Sequence, residues 1–133
     1  MTGRYLLDTN VIIALMNGDG GVLSNLGEAA EVFIPVVAVG ELFFGAAKSG
    51  RPAENIERVE RFASGRSIVL CDVDVAREYG RVKQRLRDKG RPLPENDIWI
   101  AAAAMYHDMT LVTRDAHFQE VDELRTAGWE GHS

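Results

Sequence analysis

The residues best suited to chemistry in this sequence are four acids spread along the chain. Asp8 and Asp115 each follow a short apolar run, and Asp97 begins an alanine-rich stretch. Glu41 has apolar neighbours at helical spacing, which predicts a carboxylate on an apolar helix face. Burying an ionised carboxylate is costly unless a charge or a metal compensates it. Taken singly, each acid also fits a cap, a turn or an exposed helix face, so the prediction depends on their shared placement.

These acids are expected to meet at one edge of a parallel sheet, beyond the carboxyl ends of the strands. Four carboxylates in one place repel each other at neutral pH, and a hard divalent cation is the usual remedy. Oxygen ligands favour one or two Mg²⁺ or Mn²⁺ ions. Zinc is disfavoured, because the three histidines show no metal-ligand spacing: His107, His117 and His132.

The four acids are not expected to contribute equally to such a metal site. Asp8 and Asp97 are the predicted main metal ligands. Glu41 either completes the cluster or orients the attacking water.

The elements that must position these acids are short apolar strands alternating with helices. This pattern predicts a three-layer α/β/α domain with a mainly parallel central sheet. Asn10 is predicted to cap the first helix, and Asp72 or Asp74 the long helix that ends near residue 89. The predicted strands are 4–7, 31–34, 67–71, 110–113 and 124–129. The predicted helices, besides the long one, are 10–16, 22–26, 36–47, 52–62 and 96–107.

Composition limits the class of protein. A chain of 133 residues is the size of one domain, so a single domain over 1–133 is expected. With 46% hydrophobic and 26% charged residues, a disordered or fibrous chain is excluded. The lone Cys71 excludes a disulfide scaffold, and it is expected to be a small buried residue.

Targeting features are missing from the sequence, which predicts a cytoplasmic protein without a membrane partner. No apolar run approaches the ~20 residues of a membrane helix, and Asp8 interrupts the only early apolar segment. The net charge of −5 argues against nucleic acid binding over the whole surface, but it leaves room for a local basic patch.

Four segments of the chain, in order, resemble the PIN-domain ribonucleases, and most closely the VapC-type toxins. They are YLLDTN at 5–10, VGEL at 39–42, NDIWIAA at 96–102 and LVTRDAHF at 111–118.

The resemblance covers nearly the whole chain and implies Mg²⁺- or Mn²⁺-dependent endonucleolytic cleavage of RNA. For that reaction, bound cations would polarise the phosphoryl oxygens, lower the pKa of a water molecule and stabilise the leaving oxygen. By motif position, the acidic quartet would be Asp8, Glu41, Asp97 and Asp115, with Asn10 and Thr113 as supporting polar residues. It also implies a cognate VapB-type antitoxin.

Physical grounds for such a partner exist in the sequence. An acidic cleft attracts an Arg or Lys from an inhibitory peptide. Val37, Leu42, Phe43 and Phe44 are either core residues or a groove for a partner helix or a dimer contact. We therefore expect a homodimer that also forms a toxin-antitoxin hetero-oligomer.

A cluster of basic residues lies in the long helix and the loop after it. Beside a site that cuts phosphodiesters we expect them to guide RNA, although a solvated helix face is the alternative. They are Arg77, Arg81, Lys83, Arg85, Arg87, Lys89 and Arg91.

Other functions explain the four acids less well. A haloacid-dehalogenase-like phosphatase needs a second acid at the position of Asn10, and a receiver domain needs a lysine later than Lys89. A non-catalytic module that binds RNA or protein with the same fold remains the alternative, and loss of one acid would have favoured it.

Overall fold

A five-stranded sheet forms the centre of the computed structural model, which describes residues 3–29 and 31–130. The strand order is β3-β2-β1-β4-β5, and every neighbouring pair is parallel. Parallel neighbours need crossover connections, and here helices supply most of them. The strands are β1 (Arg4–Leu7), β2 (Glu31–Pro35), β3 (Ser67–Val69), β4 (Thr110–Val112) and β5 (Thr126–Ala127).

Helices cover both faces of the sheet, which confirms the predicted three-layer α/β/α architecture. Leu6 and its register partner Leu111 pack with α5 and α6, whereas Leu7 and its partner Val112 pack with α1 and α3. This division follows from the alternation of side chains along a strand. The helices are α1 (Thr9–Met16), α2 (Gly20–Glu28), α3 (Val36–Ala47), α4 (Pro52–Ala63), α5 (Val73–Lys89) and α6 (Glu95–Tyr106).

Helices α5 and α6 pack together on one face of the sheet. Asp72 caps α5 by accepting a hydrogen bond from the Val75 amide at 3.0 Å, and Gly90 ends it in the left-handed conformation that glycine adopts without strain. The buried run Ala101–Ala104 gives α6 a smooth surface that permits close packing. None of the helices in the described ranges is long and apolar enough to span a membrane.

Three local predictions were wrong. The first helix begins at Thr9, because Asp8 rather than Asn10 is its N-cap. The last strand shrinks to Thr126–Ala127, and Trp129 leaves the sheet to pack on the ring of Tyr5 at 5.2 Å. Cys71 is exposed rather than buried, because β3 already ends at Val69.

Candidate active site

Asp8 lies in the middle of the sheet, where β1 ends and α1 begins. Its amide donates to the carbonyl of Val112, which joins the ends of β1 and β4. Its carboxylate is only 4% exposed; Oδ1 accepts from the Thr9 amide and Oδ2 from the Thr113 hydroxyl, both at 2.8 Å. Burial raises the pKa of Asp8, although these hydrogen bonds oppose the rise. The sequence therefore buries a carboxylate here and fixes both of its oxygens.

Glu41 is held beside this aspartate by Thr9. The Thr9 hydroxyl donates to Glu41 Oε1 at 2.7 Å, which bridges the start of α1 to the middle of α3. The negative charge of Glu41 also contributes to the raised pKa of Asp8. Thr9 was missed as a supporting residue in the sequence, although a threonine directly after the strand-end aspartate was a visible signal.

Asp97 joins the same group of charges from the first turn of α6. Its pKa is raised to about 6, first by burial and then by the negative charges of Asp8, Asp115 and Glu41. The helix dipole, which favours a carboxylate in a first turn, is outweighed here. The four predicted acids thus lie close enough to repel one another.

Asp115 has a second role as a cap. Its Oδ1 accepts from the His117 amide at 2.9 Å and caps a short 3₁₀ helix, Ala116–Glu120. The His117 ring nitrogen Nδ1 also lies 2.9 Å from this oxygen. His117 has no metal-ligand spacing in the sequence, but its exposed ring stands directly beside the acidic quartet.

The two predicted supporting residues differ in placement. Thr113 is buried and contacts Asp8, and its oxygen also accepts from the Asp115 amide at 3.1 Å, so it links two members of the quartet. Asn10 is exposed and makes no hydrogen bond to the acids within the described part of the chain. Its supporting role therefore stays a prediction.

The donor set suits a hard divalent cation. The four predicted ligands are carboxylates. A bound cation would offset their mutual repulsion, which adds to burial in raising the pKa of both Asp8 and Asp97. Among residues 3–29 and 31–130, however, no three His, Cys, Asp or Glu side chains form a ready-made coordination group. The structure shows a cluster of repelling acids, and metal binding stays a prediction.

A PIN domain model matches residues 5–124, a range that contains the whole quartet. The chain is 34% identical to Ribonuclease VapC2 of Haemophilus influenzae over 129 residues, which cover 95% of this chain and 98% of that protein. The chain belongs to the PIN-domain family, among its VapC members.

Other VapC proteins resemble the chain over nearly their whole length. The tRNA(fMet)-specific endonuclease VapC of Shigella flexneri is 32% identical, with 95% of this chain and 98% of that protein covered. In the solved structure of DNA-bound VapBC from Salmonella typhimurium, a chain 27% identical superposes with a TM-score of 0.88, covering 95% of this chain and 98% of that one. VapBC-1 from nontypeable Haemophilus influenzae gives 0.86 at 26% identity, with the same coverage.

The basic residues of this PIN domain do not form one free cationic surface. Helical spacing places Arg77, Arg81 and Arg85 on one flank of α5 and Lys83 with Arg87 on the other. Within the described residues, Arg87 alone of the seven lacks an ion pair. The pairs are Arg77–Asp74, Arg81–Glu78, Lys83–Glu95, Arg85–Glu123, Lys89–Asp122 and Arg91–Glu120.

These ion pairs are exposed except at Glu78, whose side chain is largely buried, so most of them contribute little to stability and leave the basic group open to exchange with phosphate. RNA guidance by this surface stays a prediction.

Lys83 has a structural position that the sequence did not reveal. Its ammonium contacts both the Glu95 carboxylate and the Tyr79 hydroxyl, and the Tyr79 ring stacks on Trp99 at 4.0 Å between centroids. The first turn of α6 has no side-chain cap of its own. This contact ties α5 to that turn, which carries Asp97.

Proposed function

We propose that this protein is a cytoplasmic endoribonuclease that cleaves RNA phosphodiester bonds with Mg²⁺ or Mn²⁺ and is the toxin of a VapBC-type pair. The observation that carries the proposal is the quartet itself. The negative charges of its members interact with one another near the end of β1: Asp8, Glu41, Asp97 and Asp115. The VapC proteins that match the whole chain are named ribonucleases or endonucleases, which supports the same chemistry.

Asp8 and Asp97 would be the main ligands of the cation, with Glu41 and Asp115 at its margin. When bound, the cation supplies Lewis acidity toward the phosphoryl oxygens and neutralises the carboxylates. Asp8 is well prepared for this role, because the Thr9 amide and the Thr113 hydroxyl fix its orientation. Preorganised carboxylates need little rearrangement as negative charge develops on the phosphate.

Glu41 would complete the cluster or orient the attacking water. The Thr9 hydroxyl donates a hydrogen bond to Glu41 Oε1, and no side chain within the described ranges donates to Glu41 Oε2. The free oxygen can therefore accept a hydrogen bond from water while the other holds the side chain in one rotamer. Thr9 thus positions both Asp8 and Glu41.

An inhibitory antitoxin of the VapB type is the proposed partner, because the similar solved structures are VapBC complexes. A groove of about 250 Å³ between α1, α3 and α4 offers an apolar surface for a partner helix. Of the residues predicted for this purpose, only Leu42 lines the groove, and most of its side chain is buried in the core. Val37 and Phe43 are half-buried core neighbours.

Cleavage of RNA by purified protein tests the proposal. Wild-type protein should cleave single-stranded RNA with Mg²⁺ or Mn²⁺ and stop in EDTA, and Asp8→Asn should abolish cleavage while remaining folded. Equal cleavage by wild type and Asp8→Asn, with contaminating nucleases excluded, refutes it. RNA binding without cleavage by wild type favours the non-catalytic module instead.

The partner and the oligomeric state need a separate test. Expression alone should arrest growth, and co-expression with the neighbouring gene product should relieve the arrest and yield a co-purifying complex. Light scattering of the isolated protein should give the mass of a homodimer. Absence of a complex and of relief refutes the pairing but leaves the nuclease proposal standing.

A further inference from the structure

An exposed aromatic ring stands beside the acidic quartet and has no role in the core. Phe44 is 66% exposed, although it lies in the middle of α3, a largely apolar helix. It follows Glu41 by three residues, so the two side chains lie on neighbouring positions of one helix face. The face of this aromatic ring is therefore available to a ligand that binds beside the quartet.

The ring borders a cavity of about 400 Å³ that opens next to the quartet. This volume lies in the range of small-molecule pockets, about 300–1,000 Å³. Gly40 leaves the helix surface open, because nothing stands within 4 Å of where its Cβ would be. The lining residues are Val37, Gly40, Glu41, Phe44 and Asn96.

We propose that this cavity holds one unpaired base of the RNA substrate, stacked on Phe44 while the adjacent phosphate lies at the quartet. This inference rests on the proposed function and adds the substrate subsite to it.

The chemistry of the lining fits a nucleotide. Base-aromatic stacking is the common way in which proteins hold single-stranded nucleic acid. The amide of Asn96 offers both a donor and an acceptor to a base edge, and within the described residues it has no hydrogen-bond partner. Lys48 Nζ lies 4.9 Å from the Phe44 ring centroid, which brings a positive charge to the same place for a phosphate.

A protein helix fits this cavity less well than a base does. Its wall contains Glu41, and an apolar helix face would bury that carboxylate without a partner. The apolar groove between α1, α3 and α4 is a different surface, lined by Leu42 and Ala46 rather than by Phe44.

Three substitutions of Phe44 test the proposal. Phe44→Ala should raise KM for a single-stranded oligoribonucleotide roughly tenfold with kcat little changed. Phe44→Leu should behave like Phe44→Ala because it keeps apolar bulk without a stacking face. Phe44→Trp should retain wild-type KM. Since the ring is exposed, all three should match the wild type in melting temperature. Wild-type KM in Phe44→Ala or in Phe44→Leu overturns the proposal.

An abasic scan identifies the stacked position. At one site in the oligonucleotide, removing the base should raise KM for wild type and leave KM of Phe44→Ala unchanged. Equal effects on both proteins at every position contradict the proposal. Loss of binding to the co-expressed antitoxin, with RNA kinetics intact, would instead assign Phe44 to a protein contact and also overturn it.

Binding measured with Ca²⁺ in place of Mg²⁺ or Mn²⁺, so that a cation still offsets the charge of the carboxylates, separates this inference from the nuclease proposal. A 2-aminopurine-labelled oligoribonucleotide should lose fluorescence on binding to wild type and keep it with Phe44→Ala. The fluorescence result does not depend on cleavage of the RNA. Absence of cleavage would refute only the nuclease activity. Equal quenching by both proteins contradicts base stacking on Phe44.

Discussion

Replacing Asp97 by asparagine should stabilise the metal-free protein at neutral pH. The Asp97 carboxyl has its pKa raised from 3.8 to about 6, first by burial and then by the charges of Asp8, Asp115 and Glu41. One pKa unit corresponds to about 1.36 kcal/mol, so the upper limit for the cost of the charge is about 3 kcal/mol. Because the side chain is only half-buried, solvent screening reduces the expected cost to about 1 kcal/mol.

The sign of the pH dependence follows from the direction of this shift. A carboxyl with a higher pKa in the folded than in the unfolded protein holds its proton better when folded, so the protonated form favours folding. Wild-type protein should therefore lose stability as the pH rises from about 4 to about 6, and the full cost should be present above that range. Asp97→Asn removes this contribution, because asparagine does not titrate.

Urea denaturation in EDTA measures the effect. At about pH 7.5 Asp97→Asn should be about 1 kcal/mol more stable than wild type, and at about pH 4 the difference should vanish. Asp74→Asn is the matched control, because the hydrogen bond from Arg77 lowers the pKa of Asp74 and the variant should gain nothing at the higher pH. An Asp97→Asn variant that is less stable than wild type at about pH 7.5, or equally shifted at both pH values, would refute the reasoning.

Three further substitutions test the surroundings of the site. Thr113→Val should cost about 1–3 kcal/mol in urea denaturation, because a buried acceptor loses its donor, and it should lower cleavage. Lys83→Met should lower kcat at a fixed metal concentration, because Lys83 holds the first turn of α6 that carries Asp97, and Lys83→Arg should restore kcat. An unchanged kcat in Lys83→Met would make this contact purely structural. Replacing Arg81, Arg85 and Arg87 together by alanine should weaken RNA binding and flatten its salt dependence, and an unchanged salt slope would make them a solvated helix face.

Much of the fold could be predicted, because the strands are short apolar runs and the helices have clear ends. The helix predicted over 36–47 has those bounds in the structure, and the break at Gly90 was visible as a glycine followed by prolines. The length of the last strand could not be predicted from its sequence pattern. Its end depends on Trp129 packing against Tyr5, a contact between residues far apart in sequence.

The acidic residues could be selected from the sequence, but the contacts that hold them could not. The sequence predicts Asn10 as the cap of the first helix, yet Asp8 caps α1 and belongs to the quartet as well. One carboxylate can serve both purposes, so the two interpretations were never exclusive. The contact of Thr9 with Glu41 spans two helices and required the packed structure.

Seven basic residues close together in sequence predict one cationic surface, and its role in RNA guidance stays a prediction. In the structure six of them have acidic partners from several elements, including Glu95 on α6 and Glu120 in the 3₁₀ helix. Counting charges along one helix omits carboxylates that the fold brings next to it. The same packing assigns Lys83 to the support of the α6 first turn.

Binding of Mn²⁺ to the purified protein, followed by electron paramagnetic resonance, tests the central claim most directly. Mn²⁺ is a probe that needs no RNA and no active cleavage, and carboxylate oxygens are its preferred ligands. Wild type should bind Mn²⁺, and both Asp8→Asn and Asp97→Asn should bind it much more weakly while keeping their fold. Equal Mn²⁺ binding by wild type and both variants, or none by wild type, would contradict the assignment of the quartet as a metal-dependent nuclease site.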